Sequence, residues 1–212
     1  MKTVLFDLDG TLTDSAPGIF SSIRYALEKA GAPIPDAATL NRFIGPPLLD
    51  SFMRQCGFDR AAAARVLEDY RVYFAARGMF ENRVYDGIVP LLERLRADGF
   101  ACVVATSKPE PFARQVLDHF GHSRHFAAIH GATLDERRNA KGDVIAWALA
   151  HSGDVGKAVM VGDRVHDVEG ARQNGLPVVG VLWGYGDARE LAGATRLVAS
   201  PAELADALRA LF

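Results

Sequence analysis

VLFDLDGTLTDS, residues 4–15, passes from an apolar run into an acidic turn. Val4, Leu5 and Phe6 are strand formers without polar alternation, as expected of a strand covered on both faces. Asp7 and Asp9 follow two apart, so on an extended chain both side chains project to one side. Gly10 and Thr11 turn the chain, and Asp14 and Ser15 are good N-cap residues for a following helix. Paired carboxylates ending a buried strand are costly unless a cation or a proton compensates them. Taken by itself the stretch has a second reading, in which the aspartates only cap backbone N–H groups. The residues downstream decide between the two.

After Ser15 the periodicity is helical. Pro17 to Ala30 places Ile19, Ile23, Leu27 and Ala30 on one face, with Gly31 behind it. Asp36 caps a short helix to about Phe43, and Ile44-Gly45-Pro46-Pro47 reads as a tight loop. Leu48 to Cys56 and Asp59 to Arg77 are further amphipathic helices, the second with Val66, Leu67, Tyr70 and Phe74 on one face. No strand is expected between Ser15 and about Arg83.

The pattern then alternates. Helices are expected at Ile88–Asp98, Pro109–Phe120, Lys141–His151, Asp167–Asn174 and Pro201–Phe212. Strands are expected at Phe100–Ala105, Phe126–Ile129, Ala158–Val161, Pro177–Val181 and Arg196–Val198. This alternation predicts an α/β fold, a Rossmann-like parallel sheet with right-handed crossovers and helices on both faces. Val4–Phe6 belongs to that sheet, so 15–83 is an inserted α-helical domain in an α/β core made of 1–14 and 84–212. Asp14-Ser15-Ala16 and Tyr85-Asp86-Gly87 are the expected hinges.

Of the 212 residues, 49% are hydrophobic and 24% charged, a composition able to bury a real core. With a net charge of -2, nothing suggests nucleic-acid or anionic-membrane binding through bulk electrostatics. Cys56 and Cys102 are far apart in sequence and read as core thiols in a reducing compartment. No charged-then-apolar leader and no apolar stretch of spanning length are present. The expectation is a soluble cytoplasmic protein, monomer or homodimer, with no nucleic-acid or membrane partner.

Polar residues of a consistent kind sit at four places: Asp7 with Asp9; Thr106-Ser107-Lys108-Pro109 after the strand ending VVAT; Lys141 opening a helix; and Gly162-Asp163-Arg164-Val165-His166-Asp167 after AVMV. Ligands of open parallel sheets bind beyond the carboxyl ends of the strands, and three of these groups follow a strand directly. Asp7, Asp9, Asp163 and Asp167 around one point cannot all be ionised unpaired, which asks for a hard cation such as Mg²⁺, plus Lys141. Phosphoryl transfer to a carboxylate fits. Asp7 is placed to attack phosphorus, and Asp9 to move the proton. Thr106, the N–H of Ser107 and Lys141 are placed to hold the phosphoryl oxygens. Gly10 and Lys108 are further phosphate-binding candidates.

In order and spacing, DLDGTLTDS, the Thr106 strand end, Lys141 and GDRVHD resemble the four motifs of the haloacid dehalogenase-like hydrolases. The resemblance covers nearly the whole chain, including a helical cap after the first strand. It implies Asp7 as nucleophile, Asp9 as general acid/base, and Mg²⁺ held by Asp7, the Asp9 backbone carbonyl and Asp163, with Asp167 in support. Members that are dehalogenases or phosphonatases lack an acid two residues after the nucleophile, so Asp9 argues against both. A sugar phosphomutase or phosphotransferase keeps both acids and stays open.

The resemblance also places substrate choice in the cap, where Arg42 is a candidate for a substrate anion and Phe43 for stacking on a ring. The stretch Lys141-Gly142-Asp143-Val144-Ile145 lacks the proline-rich sequence of phosphoglycolate phosphatases. With FIGPPL and WGYGD, it is more similar to the bacterial 5′-nucleotidase-like members. The expected substrate is a small phosphorylated metabolite, a nucleoside 5′-monophosphate first and phosphoglycolate second. His166 and the histidines at 119, 122, 125 and 130 are not needed for this chemistry. Arg137-Arg138 reads as a solvated turn, with added positive potential near the phosphate as its alternative. Trp183 and Tyr185, after a strand end, are expected to pack, with lining the cleft as the alternative.

Overall fold

Val4, Leu5 and Phe6 are fully buried, as a strand covered on both faces requires. In the computed structural model, which describes residues 1–135 and 137–212, they lie in β1 (Lys2–Phe6). The two-residue strand β2 (Thr13–Asp14) follows, then the helices α1 (Ala16–Lys29), α2 (Ala37–Asn41), α3 (Leu48–Cys56) and α4 (Arg60–Ala76). After β3 (Arg83–Val84), which pairs with β2, come α5 (Ile88–Ala97), β4 (Phe100–Pro109), α6 (Glu110–His119) and β5 (Ala128–Ala132). The chain ends with α7 (Lys141–His151), β6 (Lys157–Gly162), α8 (Val165–Gln173), β7 (Val178–Val181), β8 (Arg196–Val198) and α9 (Pro201–Leu211). It divides into two compact units, Met1–Thr13 with Val84–Phe212, and Asp14–Arg83.

The larger unit is built on a six-stranded sheet of order β5-β4-β1-β6-β7-β8, with parallel pairing throughout. Side chains alternate across it as the strand period of two demands. Val4, Phe6, Val104, Val159 and Val161 face a cluster with Leu91, Leu92 and Leu95 of α5 and Leu204 and Leu208 of α9. Leu5, Val103, Ala105 and Met160 face the other way, onto Val144, Ile145 and Ala148 of α7 and Val168 and Ala171 of α8. The chain moves from β1 to β4 and β5 on one side, then returns to β6 on the other. The direction of strand succession thus reverses between β1 and β6, and such a switch point opens a crevice at the carboxyl ends of the strands.

Three expectations in this unit change by two residues or more. The strand expected to stop at Ala105 runs on to Pro109, because Thr106 and Pro109 still pair with Gly131 and Ala132 of β5 across a register shift. Such a bulge absorbs a proline that cannot donate to the ladder. The strand expected from Phe126 begins at Ala128, after a tight Ser123–His125 turn. The helix expected from Asp167 begins at Val165, which moves Asp167 into its first turn.

The smaller unit is helical. Ile23, Ala26 and Leu27 of α1 and Ala63, Val66, Leu67, Tyr70 and Phe74 of α4 are buried. Asp36 and Asp59 cap their helices as expected, accepting from the N–H groups of Thr39 and Ala62. Ser15 holds the N-cap position of α1, but its backbone is helical (φ -93, ψ -1) and its hydroxyl makes no capping bond. A cap side chain reaches the first-turn N–H groups from extended backbone, and that geometry is missing here. Asp14 binds Arg83 Nε at 3.0 Å instead.

Phe43 is corrected as a ligand-stacking candidate. It is 1% exposed, and its ring meets Phe52 edge-on at 5.3 Å, in a series that continues to Tyr70 and Phe74. Its aromatic surface is spent on the core of the helical unit. Arg42, one residue before, is exposed. No helix among the described residues is long and apolar enough to cross a membrane.

Candidate active site

β1 delivers Asp7 to the switch point, where its N–H donates to Val161 O of β6 at 2.9 Å. The strand then ends in a tight loop closed by Gly10 N–H to Thr13 O (2.8 Å). Asp7 is 4% exposed, with Leu8 N–H donating to its Oδ1 at 2.8 Å. β6 delivers Asp163 and the first turn of α8 delivers Asp167, both with no exposed surface. Ligand oxygens of Asp7, Asp163 and Asp167 lie within 4.8 Å of one another, the one such acidic group among the described residues.

Lys141, first residue of α7, lies against this group. Its Nζ is 2.8 Å from Asp7 Oδ1, 2.8 Å from Asp167 Oδ1 and 3.2 Å from Ala105 O at the end of β4. An ammonium has three donors, and three oxygens stand around it. Burial opposes its charge, yet Asp167 and Asp7 outweigh that and hold the Lys141 pKa above its ordinary value. One ammonium does not balance three buried carboxylates. Burial pushes the Asp163 carboxyl well above the usual carboxylate range, and Asp167 and Asp7 add to the effect. Burial likewise raises Asp167 to about 6, with Lys141 opposing and Asp7 reinforcing the rise.

Asp163 is held by residues from two directions. Thr11 Oγ1 donates to its Oδ1 and Tyr185 N–H to its Oδ2, each at 2.9 Å. Trp183 Nε1–H donates to Thr11 O at 3.0 Å, tying the loop after β7 to the loop after β1. This packing needs bare backbone. A Cβ on Gly184 would run into the Asp163 side chain and Gly10 O, and one on Gly10, whose φ is +85, would meet the Asp163 carboxylate. Gly10 is thus placed by its approach to Asp163. Thr11 and the 183–185 backbone were not recognised as part of the site from sequence; the signals were the threonine after Asp-x-Asp-Gly and glycines flanking an aromatic after a strand.

The other expected residues are placed as follows. Thr106 is buried, and its Oγ1 accepts from Lys108 N–H at 3.2 Å; Ser107 is half-buried beside it. Lys108, expected on phosphate, has its Nζ 2.8 and 2.6 Å from the two oxygens of Asp9. Arg42 and Phe43 belong to the helical unit. Arg138 bonds Gly131 O and lies over the Trp147 ring, while Arg137 pairs with Asp135. Of Trp183 and Tyr185, expected to pack or to line the cleft, Tyr185 reaches Asp163 through its backbone N–H, and Trp183 reaches Thr11 O through its ring N–H.

Residues 4–181 match the haloacid dehalogenase-like hydrolase family. The chain is 48% identical over 189 residues to a 5′-nucleotidase of Pseudomonas aeruginosa, covering 89% of this chain and 86% of that protein. It is 46% identical over 209 residues to the tyrosine-protein kinase PtkA of Mycobacterium tuberculosis, covering 98% of this chain and 71% of that one. The crystal structure of a predicted phosphatase from Clostridium acetobutylicum superposes with a TM-score of 0.94 at 48% identity, covering 99% of this chain and 98% of the other.

Proposed function

The chain belongs to the haloacid dehalogenase-like hydrolases and is a phosphatase; from that membership we infer Mg²⁺-dependent hydrolysis of nucleoside 5′-monophosphates through an aspartyl-phosphate on Asp7. The observation that carries the reading is Asp7 at the sheet's switch point, held through Oδ1 by Lys141 and Leu8 N–H. With Oδ1 so engaged, Oδ2 is the oxygen that attacks phosphorus. The new Asp7–phosphorus bond forms as the ester P–O bond breaks, and Asp9 protonates the departing alkoxide. Asp9 then takes a proton from the water that attacks the acyl phosphate, releasing phosphate and regenerating Asp7. Thr106 and Ser107 N–H hold the phosphoryl oxygens, and Lys141, its three donors facing Asp7, Asp167 and Ala105 O, holds the attacking carboxylate beside them.

The donor set fits a hard cation: every available ligand is an oxygen, and the buried carboxylates outnumber the one ammonium among them. Asp7, the Asp9 carbonyl and Asp163 would hold Mg²⁺, with Asp167 in support. When bound, the ion supplies the positive charge that lets a phosphate dianion approach a carboxylate. Gly184→Ala is expected to weaken Mg²⁺ binding roughly 10- to 100-fold by displacing Asp163, as measured by titration calorimetry. An unchanged affinity in the folded variant would remove the 183–185 loop from the metal site.

Nucleotide preference rests on the likeness to the Pseudomonas aeruginosa 5′-nucleotidase. We assign substrate selection to a helical cap at 15–83, with exposed Arg42 as its candidate anion contact. A phosphate-release panel of 5′- and 3′-nucleotides, sugar phosphates and phosphoglycolate tests this. The expected result is highest kcat/KM for 5′-nucleotides, abolished by EDTA and restored by Mg²⁺. Phosphoglycolate ahead of every nucleotide would replace the substrate class and leave the mechanism standing. The likeness to PtkA supports a second reading, in which the phosphoryl group passes to a protein hydroxyl. Phosphotyrosine formed from ATP, in place of free phosphate, would favour it.

A further inference from the structure

We propose that Lys108 is the positioning residue for Asp9, holding the carboxylate in the orientation from which it transfers a proton. The assignment rests on Asp9 being the general acid/base of the reaction above. Lys108 Nζ spans both Asp9 oxygens at 2.8 and 2.6 Å, and the two side chains are only 5% and 14% exposed. One cation engaging both oxygens fixes the rotation of the carboxylate as well as its position. The Asp9 backbone is already set, bridged to Thr13 on the loop that Gly10 N–H closes. What stays free along that loop is the side-chain torsion, and Lys108 determines it.

Lys108 is itself firmly placed. It lies within the register shift of β4 against β5, its N–H donates to Thr106 Oγ1 at 3.2 Å, and a Cβ on Gly131 would meet its carbonyl oxygen. The bulge therefore sets where the Lys108 stem starts. The second buried lysine does not share this task, since the three acceptors around Lys141 Nζ are Asp7, Asp167 and Ala105. The two ammoniums divide the acids between them. Lys141 serves the attacking carboxylate and the metal-side Asp167, and Lys108 serves the proton-transferring Asp9.

A positioning residue for a general acid leaves a signature that a phosphate ligand does not. Protonating the leaving oxygen matters most when that oxygen is a poor leaving group. The test measures kcat/KM for a series from p-nitrophenyl phosphate to alkyl phosphates in the wild type, Lys108→Met, Lys108→Arg and Asp9→Asn. Lys108→Met is expected to lose about 10-fold on the nitrophenyl ester and about 1000-fold on alkyl esters, within the range of general acid catalysis. Lys108→Arg, whose fork can engage both carboxylate oxygens, is expected to recover most of the difference between substrates. Asp9→Asn should show an even steeper dependence. If Lys108→Met does not fold, Lys108→Gln replaces it in the same series. Equal losses across the series with a steep Asp9→Asn would overturn the proposal and make Lys108 a phosphate ligand. A flat Asp9→Asn series would instead overturn the acid/base role of Asp9, and the proposal with it.

Discussion

Asp7→Asn is expected to lower phosphate release by roughly four orders of magnitude or more, the scale seen when a covalent nucleophile is removed, while leaving the fold at least as stable. The amide keeps the geometry: its oxygen still accepts from Leu8 N–H and can still face Lys141, which Asp7 Oδ1 now does at 2.8 and 2.8 Å. What is lost is the anionic nucleophile. What is gained is relief of charge, since Asp7 helps to raise the carboxyls of both Asp163 and Asp167. An acid whose pKa is higher in the folded than in the unfolded state costs stability as pH rises through the unfolded value. Removing a neighbouring charge reduces that cost above the ordinary carboxylate range. Phosphate release and urea unfolding at neutral pH without added metal check both halves. Near-normal turnover in this variant would end the aspartyl-phosphate mechanism.

Lys141→Met is the second large effect, and here activity and stability fall together. The variant leaves Asp7, Asp163 and Asp167 buried without the ammonium that spans two of them. Removing one partner of a buried pair costs about 3–5 kcal/mol, because the other charges stay desolvated and uncompensated. The direction of the Lys141 shift decides which effect wins. Its pKa is raised although the side chain is buried, so its attraction to Asp167 and Asp7 exceeds the desolvation of the ammonium. The expected result is a large drop in Tm and no detectable turnover. Adding Asp167→Asn to Lys141→Met should regain part of the stability and none of the activity. A double-mutant cycle over these changes should show coupling between neighbours in one network. Additive losses would mean that Lys141 and Asp167 do not act as a pair.

The parts of this site legible in the sequence share a property. Asp7, Asp163 and Thr106 each terminate a short apolar run, and Lys141 opens an amphipathic helix. Their neighbours within a few residues therefore announce both the element and the end of it on which the side chain lies. Parallel strands covered by helices then bring such ends together. The sheet and its flanking helices were legible for the same reason, and the errors fell at element ends. Pro109 stays within β4 only because β5 accepts a register shift beside it. Ser15 fails as a cap only because its backbone enters α1 already helical.

Sequence by itself determined the α/β alternation, the helical stretch after the first strand and which acids and lysines stand at strand and helix ends. Each of these is written in periodicity or chain termination over a few neighbouring residues. Only the tertiary structure decided the partner of each charge. Lys108 meets an aspartate 99 positions away, Thr11 and Tyr185 N–H meet on Asp163, and Phe43 turns into an aromatic core. The physical reason is that an ion pair or a ring contact is settled by distances of a few ångströms. Those distances are set where strands and helices remote in sequence pack together, and no local pattern records them.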